Sequence, residues 1–247
     1  MSETSATGSP EEWVIWHDLE SGTYGADLPL WRKFADEAGG PILDLGCGTG
    51  RVTLHLAEEG HEVIGVDREP AFVDALNERA ARAKVTARGV VGDVRDLALD
   101  RQFPLVIAPQ QLLQILGGEE ERRVCLASIA RVLEPGGLAA FALIEDFYAP
   151  DDAPPPLPDV REVGGWVYSS LAVSIRPAWE GIILTRLRQV VSPQGEMDEE
   201  QDEVHLSELS AQRFEKEAEA AGLRPAGRYE VAETERHVGS TVVVLER

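Results

Sequence analysis

The chain has 247 residues, 43% of them apolar, and carries a formal net charge of −21 at pH 7. This composition suffices for one full hydrophobic core with additions, and the acidity argues against nucleic acids and anionic membranes as partners. No apolar run is long enough to span a bilayer, and residues 1–12 are polar and acidic, unlike a targeting peptide. Cys47 and Cys125 are the only cysteines, so we expect no disulfide and a cytoplasmic location.

The first forty residues predict a tail followed by a helical cover. Residues 1–10 are polar, and we expect them to be disordered. Residues 11–19 and 28–38 carry apolar side chains at helical spacing. We therefore expect two helices within residues 11–40, ahead of the first strand.

A glycine-rich turn follows the first predicted strand and is the most specific motif of the chain. The strand contains Asp44, and glycines follow at positions 46, 48 and 50. Glycine lets a backbone press against a ligand at little conformational cost, and open α/β sheets bind nucleotide-like ligands at such turns. A dinucleotide fingerprint would need glycine where Arg51 stands, which disfavours a nicotinamide dehydrogenase. The Gly-Lys-Ser/Thr run of a phosphate-binding loop is absent from the sequence.

A second strand is predicted at residues 62–67, where an apolar run ends in Asp67. The short amphipathic segment between the two strands completes a β-α-β unit. A carboxylate at this strand end can accept both hydroxyls of a ribose that lies across the glycine turn. Alternatively, Asp67 caps the helix that begins near Pro70. The two roles are compatible.

Three more strands complete the predicted central part of the chain. The first, at about 86–91, leads into Asp93, and the second covers 103–108. Pro104 has no N–H to donate to a central ladder, so we expect it at the first residue of its strand. The third strand, at 139–144, follows a Pro-Gly-Gly turn that ends a long helix.

These elements, in this order over residues 41–146, resemble the cofactor-binding core of the class I S-adenosylmethionine-dependent methyltransferases. The first motif of that family is the acid-x-Gly-x-Gly-x-Gly pattern seen at 44–50. The resemblance implies an α/β fold, a Rossmann-like three-layer αβα sandwich with a mostly parallel seven-stranded sheet. It also implies S-adenosyl-L-methionine as the cofactor and S-adenosyl-L-homocysteine as the product.

The resemblance implies roles for individual residues as well. The acid at position 67 binds the ribose, Asp93 accepts a hydrogen bond from the adenine amine, and the N–H of Val94 faces a ring nitrogen. Tyr24, in the helical cover, is expected to reach the methionine carboxylate. The cofactor residues expected on this basis are Asp44, Gly46, Cys47, Gly48, Gly50, Asp67, Arg68, Asp93, Val94, Ala108 and Tyr24.

Beyond the fifth strand the apolar period changes from helical to strand-like. A Pro-rich connector and a small antiparallel β insertion are predicted within 147–209. The predicted strands of the insertion are 166–175, 182–191 and about 203–209. The last part, 210–247, predicts one helix and two strands that complete the main sheet. In similar small-molecule N-methyltransferases such an insertion covers the acceptor site, and dimerisation is the alternative use of its surface.

Residues that contact the acceptor or act as a general base must lie at the carboxyl edge of the sheet or under its cover. The candidates for acceptor contact are Trp16, Gln110, Gln111 and Tyr148. The weak candidates for a base are Tyr24, Glu145, Asp146, His17 and His205. Each of these side chains also has a structural interpretation, so the catalytic residue stays unknown at this point.

We expect methyl transfer to a nitrogen or oxygen of a small-molecule acceptor by in-line displacement, in which the enzyme aligns the reactants and excludes water. Two alternatives remain open, namely a non-catalytic S-adenosylmethionine-binding protein and a protein methyltransferase. We expect a monomer or a homodimer, with no nucleic-acid or membrane partner and no metal.

Overall fold

The computed structural model describes residues 9–147, 156–235 and 237–247. Within them the helices are α1 (Pro10–Glu20), α2 (Leu28–Ala38), α3 (Arg51–Glu58), α4 (Pro70–Ala83), α5 (Leu112–Ile115), α6 (Glu119–Val132) and α7 (Ala211–Ala220). The strands there are β1 (Ile42–Leu45), β2 (Val63–Asp67), β3 (Ala87–Val91), β4 (Phe103–Ala108), β5 (Leu133–Leu143), β6 (Asp159–Val163), β7 (Trp166–Ala178), β8 (Gly181–Val191), β9 (Met197–Ser207), β10 (Arg224–Val231) and β11 (Ser240–Glu246).

The main sheet has seven strands in the order β10-β11-β5-β4-β1-β2-β3. The five strands β1 to β5 pair in parallel, β11 runs antiparallel to β5, and β10 runs antiparallel to β11. Parallel strands place their carboxyl ends at one edge of the sheet, where open α/β folds bind ligands. The expected mostly parallel seven-stranded sheet is confirmed.

Two helical layers cover the main sheet because its strands alternate their side chains between the two faces. Ile42 packs with α2 and α3, whereas Leu43 packs with α6 and α7. On the second face Phe141 of β5 meets Phe214 of α7 edge to face, with ring centroids 5.1 Å apart. Full burial of one such side chain stabilises the fold by roughly 1.5–3 kcal/mol. This arrangement confirms the expected αβα sandwich.

The cover begins one residue earlier than expected. Pro10 already lies in α1, and Ser9 is its N-cap, so residues 9 and 10 do not belong to a disordered tail. The hydroxyl of Ser9 accepts from the N–H of Glu12 (3.3 Å), and the Glu12 carboxylate accepts from the N–H of Ser9 (2.7 Å). This reciprocal capping box, with proline in the first turn, fixes the start of the helix. Residues 1–8 lie outside the described part of the chain.

The antiparallel sheet has four strands in the order β6-β7-β8-β9, where three strands were expected. The missed strand, β6, joins β7 through Gly164 and Gly165, which both have positive φ and form a two-residue hairpin turn. The last strand begins at Met197 rather than near residue 203. Its acidic residues have low strand propensity, but they lie opposite arginines of β8, as in the pair Arg188 and Glu200. The predicted connector residues 148–155 lie outside the described residues.

Pro104 is the second residue of β4 rather than the first. The pairing of β4 with β5 shifts register between Phe103 and Leu105, so the residue without an N–H falls at the irregularity. Its ring also packs against Gly40, where a Cβ would come within 2.7 Å of it. No helix in the part of the chain that the structure describes is long and apolar enough to cross a bilayer.

Helix α1 lies between the antiparallel sheet and the core. Toward the sheet, Trp16 meets Tyr168 edge to face (5.2 Å between centroids), and Glu20 accepts two 2.8 Å hydrogen bonds from Arg188. Toward the core, Asp18 accepts from Arg79 of α4 at 2.6 and 2.9 Å. The cover is therefore joined to both parts of the molecule.

Candidate functional site

The glycine turn leads directly from β1 into α3. Gly46, Gly48 and Gly50 have φ values of +65°, +53° and +97°, the left-handed region that favours glycine. The N–H groups of Gly46 and Cys47 both donate to the carbonyl of Val66 on β2, at 2.8 and 3.1 Å. The turn is thus tied to the neighbouring strand.

Asp44 is fully buried below this turn with one oxygen unsatisfied. Its Oδ2 accepts a 2.6 Å hydrogen bond from Thr53 Oγ1, whereas Oδ1 has no hydrogen-bond partner among the described residues. Burial raises the pKa of Asp44 to about 7. A buried acceptor without a donor costs free energy. A ligand that donates a hydrogen bond to this oxygen would remove that cost.

Asp67 lies at the end of β2 and faces the turn. Its Oδ2 accepts from the N–H of Gly48 (2.9 Å), and its Oδ1 accepts from the N–H of Glu69 (3.0 Å). The alternative that Asp67 caps the following helix is wrong, because Glu69 is the N-cap of α4. Asp67 therefore fastens the glycine turn to the end of the second strand.

Asp93 follows the third strand end and is held by Arg95. The guanidinium Nε contacts both carboxylate oxygens, at 2.9 and 3.1 Å, and Nη1 reaches Glu121 at 2.6 Å. These hydrogen bonds hold the pKa of Asp93 below its usual value. Val94 beside it is buried, and Arg68 is exposed with its charge acting on Asp93.

A recess opens beside the glycine turn at the carboxyl edge of the sheet. Its lining residues come from the cover, from β1 and the turn, from α3 and from the exit of β4: His17, Ser21, Asp44, Gly46, Cys47, Arg51, Val52, Pro109 and Gln110. Burial raises the pKa of the Cys47 thiol far above its usual range, which keeps it protonated. The recess thus brings together three expected cofactor residues, the expected acceptor residue Gln110 and the base candidate His17.

His17 lies over the glycine turn. Its ring packs against Phe72 (4.5 Å between centroids), and its Nδ1 is 3.3 Å from Thr49 Oγ1. Thr49 donates its only proton to Asp18 (2.7 Å), so Nδ1 must be the donor to Thr49, which leaves Nε2 as the acceptor in the neutral ring. Burial lowers the pKa of His17, which keeps the ring neutral near pH 7.

Other expected residues lie outside the recess. Tyr24 stacks beside His237 and under the Arg51 guanidinium (4.8 and 5.2 Å between centres). Trp16 packs on the antiparallel sheet, in the structural role that competed with acceptor contact. His205 is exposed, with Nε2 3.2 Å from the carbonyl of Trp179. Tyr148 lies outside the described residues.

Glu145 and Asp146 line a second cavity of about 340 Å³, between the end of β5 and the β7–β8 turn, together with Glu180 and Glu208. Glu145 also accepts from the N–H of Ala211 (2.8 Å) and from Thr241 Oγ1 (2.9 Å). These bonds attach the end of β5 to α7 and β11, so Glu145 has a structural role besides lining the cavity.

Two polar side chains of this region were not expected from the sequence. Gln114 is buried, donates to the carbonyls of Ile144 and Ser207 (2.9 and 3.1 Å) and accepts from the N–H of Ile144 (2.8 Å). It thereby joins α5 to the end of β5 and to β9. Arg51 served only to exclude a dinucleotide site, yet its side chain lines the recess. The local sequence around Gln114 and Arg51 does not indicate these roles, because the residues that they contact are distant in sequence.

The geometry of the glycine turn and the strand ends agrees with the family to which this part of the sequence is similar. Residues 42–137 match the family model described as a methyltransferase domain. Residues 42–137 of this chain are a methyltransferase domain. This domain contains the glycine turn, Asp44, Asp67 and Asp93, together with the exit of β4.

Curated relatives of the methyltransferase domain are named for methyl transfer to cypemycin and to N-demethylindolmycin. The chain is 40% identical over 116 residues to the cypemycin N-terminal methyltransferase of a Streptomyces species, which covers 47% of this chain and 46% of that protein. It is 33% identical over 101 residues to the N-demethylindolmycin N-methyltransferase of Streptomyces griseus, covering 40% and 42%. The chain thus spans about half the length of the curated relatives it matches.

Solved structures resemble the whole chain rather than the methyltransferase domain alone. The sugar N-methyltransferase KedS8 of Streptoalloteichus superposes with a TM-score of 0.73, covering 99% of this chain and 96% of that one, at 19% identity. DesVI of Streptomyces venezuelae superposes with a TM-score of 0.70, covering 96% and 98%, at 20% identity. At these identities the likeness establishes the shared fold, including the antiparallel sheet.

Proposed function

We propose that the protein transfers the methyl group of S-adenosyl-L-methionine to a nitrogen or oxygen of a small-molecule acceptor. The observation that carries the proposal is the unpartnered Oδ1 of Asp44 in a recess beside the glycine turn. The methyltransferase domain and the acceptors named for its relatives support it. S-adenosyl-L-methionine fits the recess chemically, since its ammonium is a donor for Oδ1 of Asp44.

The residues at three neighbouring strand ends would hold the cofactor. Asp44 would receive the ammonium, Asp67 the ribose hydroxyls, and Asp93 with the N–H of Val94 the adenine. Asp67 and Asp93 each retain acceptor capacity, because a carboxylate has about four lone-pair sites. The bound cofactor would supply an activated sulfonium methyl group.

The chain itself would contribute alignment and exclusion of water. Helix α1 covers the glycine turn, and Gln110 marks the side of the recess that opens toward the exit of β4. A neutral amine needs no general base, whereas a hydroxyl or an ammonium does. The neutral ring of His17, with Nε2 as acceptor, is the base candidate that lies in the recess.

Within this proposal a basic amine is the favoured acceptor. Two similar proteins are named N-methyltransferases, and a third is named an N-terminal methyltransferase. The second cavity, with its four carboxylic side chains, lies between the sheet edge and the antiparallel sheet, and a negative wall attracts a cation. We further propose that the protein acts in the cytoplasm as a monomer or homodimer. We also propose that the domain limits expected from the sequence hold, except that the helical cover begins at residue 9, the N-cap of α1.

Calorimetric titration and a turnover assay test the proposal. We expect S-adenosyl-L-homocysteine to bind with micromolar affinity, and NADH not to bind. A panel of small amines and alcohols, assayed for release of S-adenosyl-L-homocysteine, should then show turnover with an amine. Binding of NADH without S-adenosyl-L-homocysteine would overturn the assignment. Cofactor binding without turnover on small molecules, but with methyl incorporation into proteins, would support the protein methyltransferase alternative.

A further inference from the structure

Arg51 is a buried cation whose main partner is already in place. It is the first residue of α3, and its side chain is 8% exposed, while that of Asp27 is 2% exposed. Nη1 donates to Oδ1 of Asp27 at 2.6 Å and Nη2 to Oδ2 at 2.8 Å. Nη1 also donates to the carbonyl of Tyr24 at 2.9 Å. These contacts use three of the five N–H groups of the guanidinium.

The two remaining N–H groups are adjacent and parallel. A carboxylate that pairs with Nη1 and Nη2 occupies the end of the guanidinium, which leaves Nε–H and the second Nη2–H along its side. No described residue accepts from Nε of Arg51. Two parallel donors of this kind match the two oxygens of a second carboxylate. Arg51 lines the recess, so a ligand bound there lies beside this side chain.

The orientation of Arg51 is fixed before any ligand arrives. Asp27 is buried and accepts a 2.7 Å hydrogen bond from Trp31 Nε1. The ring of Tyr24 lies 5.2 Å from the guanidinium carbon. A receptor held in one geometry loses little entropy on binding, so its hydrogen bonds contribute fully to affinity.

The same recess also offers a hydrogen-bond acceptor, because Oδ1 of Asp44 has no donor among the described residues. The recess therefore offers two free donors and one free acceptor. Because Asp27 already neutralises Arg51, the site suits a ligand with both charges better than a simple anion. We propose that Arg51, positioned by Asp27, binds the carboxylate of the cofactor's amino-acid end while Asp44 binds its ammonium. This assignment rests on the proposed function and makes the helical cover part of the cofactor site.

A calorimetric titration of the full chain with three ligands distinguishes the contributions of the carboxylate and the ammonium to affinity. S-adenosyl-L-homocysteine carries both groups, its decarboxylated analogue keeps only the amine, and 5′-methylthioadenosine has neither. For the wild type we expect loss of the carboxylate to weaken binding about ten- to a hundredfold, the range for charge-assisted hydrogen bonds. This measurement needs no variant.

The variant Arg51→Lys keeps the positive charge opposite Asp27 but loses the planar fork. It should weaken S-adenosyl-L-homocysteine about tenfold or more, and the decarboxylated analogue by less than about threefold. The matched control is Arg122→Lys, which alters another buried bidentate pair, with Glu217 at 2.7 and 2.8 Å, away from the recess. The control should lower the melting temperature without changing the ratio of the two affinities.

Two results would overturn the assignment. One is a wild type that binds S-adenosyl-L-homocysteine and its decarboxylated analogue equally well. The other is an equal loss of affinity for all three ligands in Arg51→Lys, which is the behaviour of a purely structural ion pair. In both cases the proposed function stands, because the cofactor product still binds. Failure of the wild type to bind any of the three ligands would overturn the proposed function and this assignment together.

Discussion

The imidazole of His17 lies directly over Gly48, so that a Cβ at position 48 would overlap Nε2 and Cε1 of the ring. The absence of a side chain there is what lets α1 close on the glycine turn. Glycine at this position of the motif is usually explained by the approach of a ligand. Here Gly48 also makes room for the ring of His17. Gly48 also has a φ of +53°, which L-residues rarely adopt.

Gly48→Ala should therefore displace His17 and weaken cofactor binding. We expect the affinity for S-adenosyl-L-homocysteine to fall at least about tenfold, with a stability loss of about 1 kcal/mol or more from the positive φ. Gly39→Ala is the matched control, because Gly39 has a φ of +65° with open space around it. The control should lose stability but keep its affinity in titration. Equal affinities of the two variants would contradict the role of the His17 contact.

Asp44→Asn should stabilise the ligand-free protein at alkaline pH. The folded-state pKa of Asp44 is raised from 3.8 to about 7, so its protonated form favours folding, and this contribution is lost as pH rises through 7. At pH 8 we expect urea denaturation to show a gain of about 1–3 kcal/mol for the variant, and a smaller gain at pH 5. Asp100→Asn, at an exposed acid, removes the same formal charge and should show no such trend. A gain that is independent of pH would contradict this account.

Cofactor-product binding should tighten between pH 6 and pH 8. The ammonium of S-adenosyl-L-homocysteine pairs with ionised Asp44, and a carboxyl with a pKa of about 7 ionises over this range. We expect an increase of about three- to tenfold in affinity by calorimetry. Asp44→Asn should bind more weakly at pH 8 and should show a flat profile. A wild-type affinity that falls over the same range would contradict the pairing.

Asp18 joins three parts of the molecule and should be sensitive to substitution. Its carboxylate accepts from Thr49 of the turn (2.7 Å), from Arg79 of α4 (2.6 and 2.9 Å) and from Arg161 of β6 (2.9 Å). Burial raises its pKa, but hydrogen bonds from these three residues outweigh that effect and hold it below the usual value. Asp18→Asn leaves two arginines poorly paired, which should cost about 2–4 kcal/mol in urea denaturation.

The variant Glu20→Gln weakens the attachment of α1 to the antiparallel sheet and leaves its attachment to the core through Asp18 intact. Among the described residues, Glu20 accepts hydrogen bonds only from Ser170 and Arg188 of the antiparallel sheet, so its loss should leave the glycine turn in place. In hydrogen exchange we expect faster exchange at residues 46–50 in Asp18→Asn but not in Glu20→Gln. The same exchange in both variants would mean that Asp18 does not hold the turn.

The order of the main elements was predictable because its signals are local. A buried apolar run followed by glycines identified β1 and its turn, and an acid after each of the next two runs identified the ends of β2 and β3. The error at β9 arose because pairing overrides local composition: its acidic start is a strand because arginines of β8 lie opposite. The error at β6 has a different origin, since Gly164 and Gly165, which form a two-residue hairpin turn, are a local signal for that strand.

Residue spacing along the chain was enough to predict the fold, the methyltransferase core and the acids at the strand ends, because spacing specifies period, turn and strand end. The contacts of Arg51 with Asp27, of His17 with Gly48, and of Asp18 with Arg161, 143 residues away, became visible only in the folded chain. The two kinds of information differ in the range over which the forces act. Backbone preferences act over a few residues, whereas ion pairs and ring contacts depend on which surfaces come together once the sheets have formed.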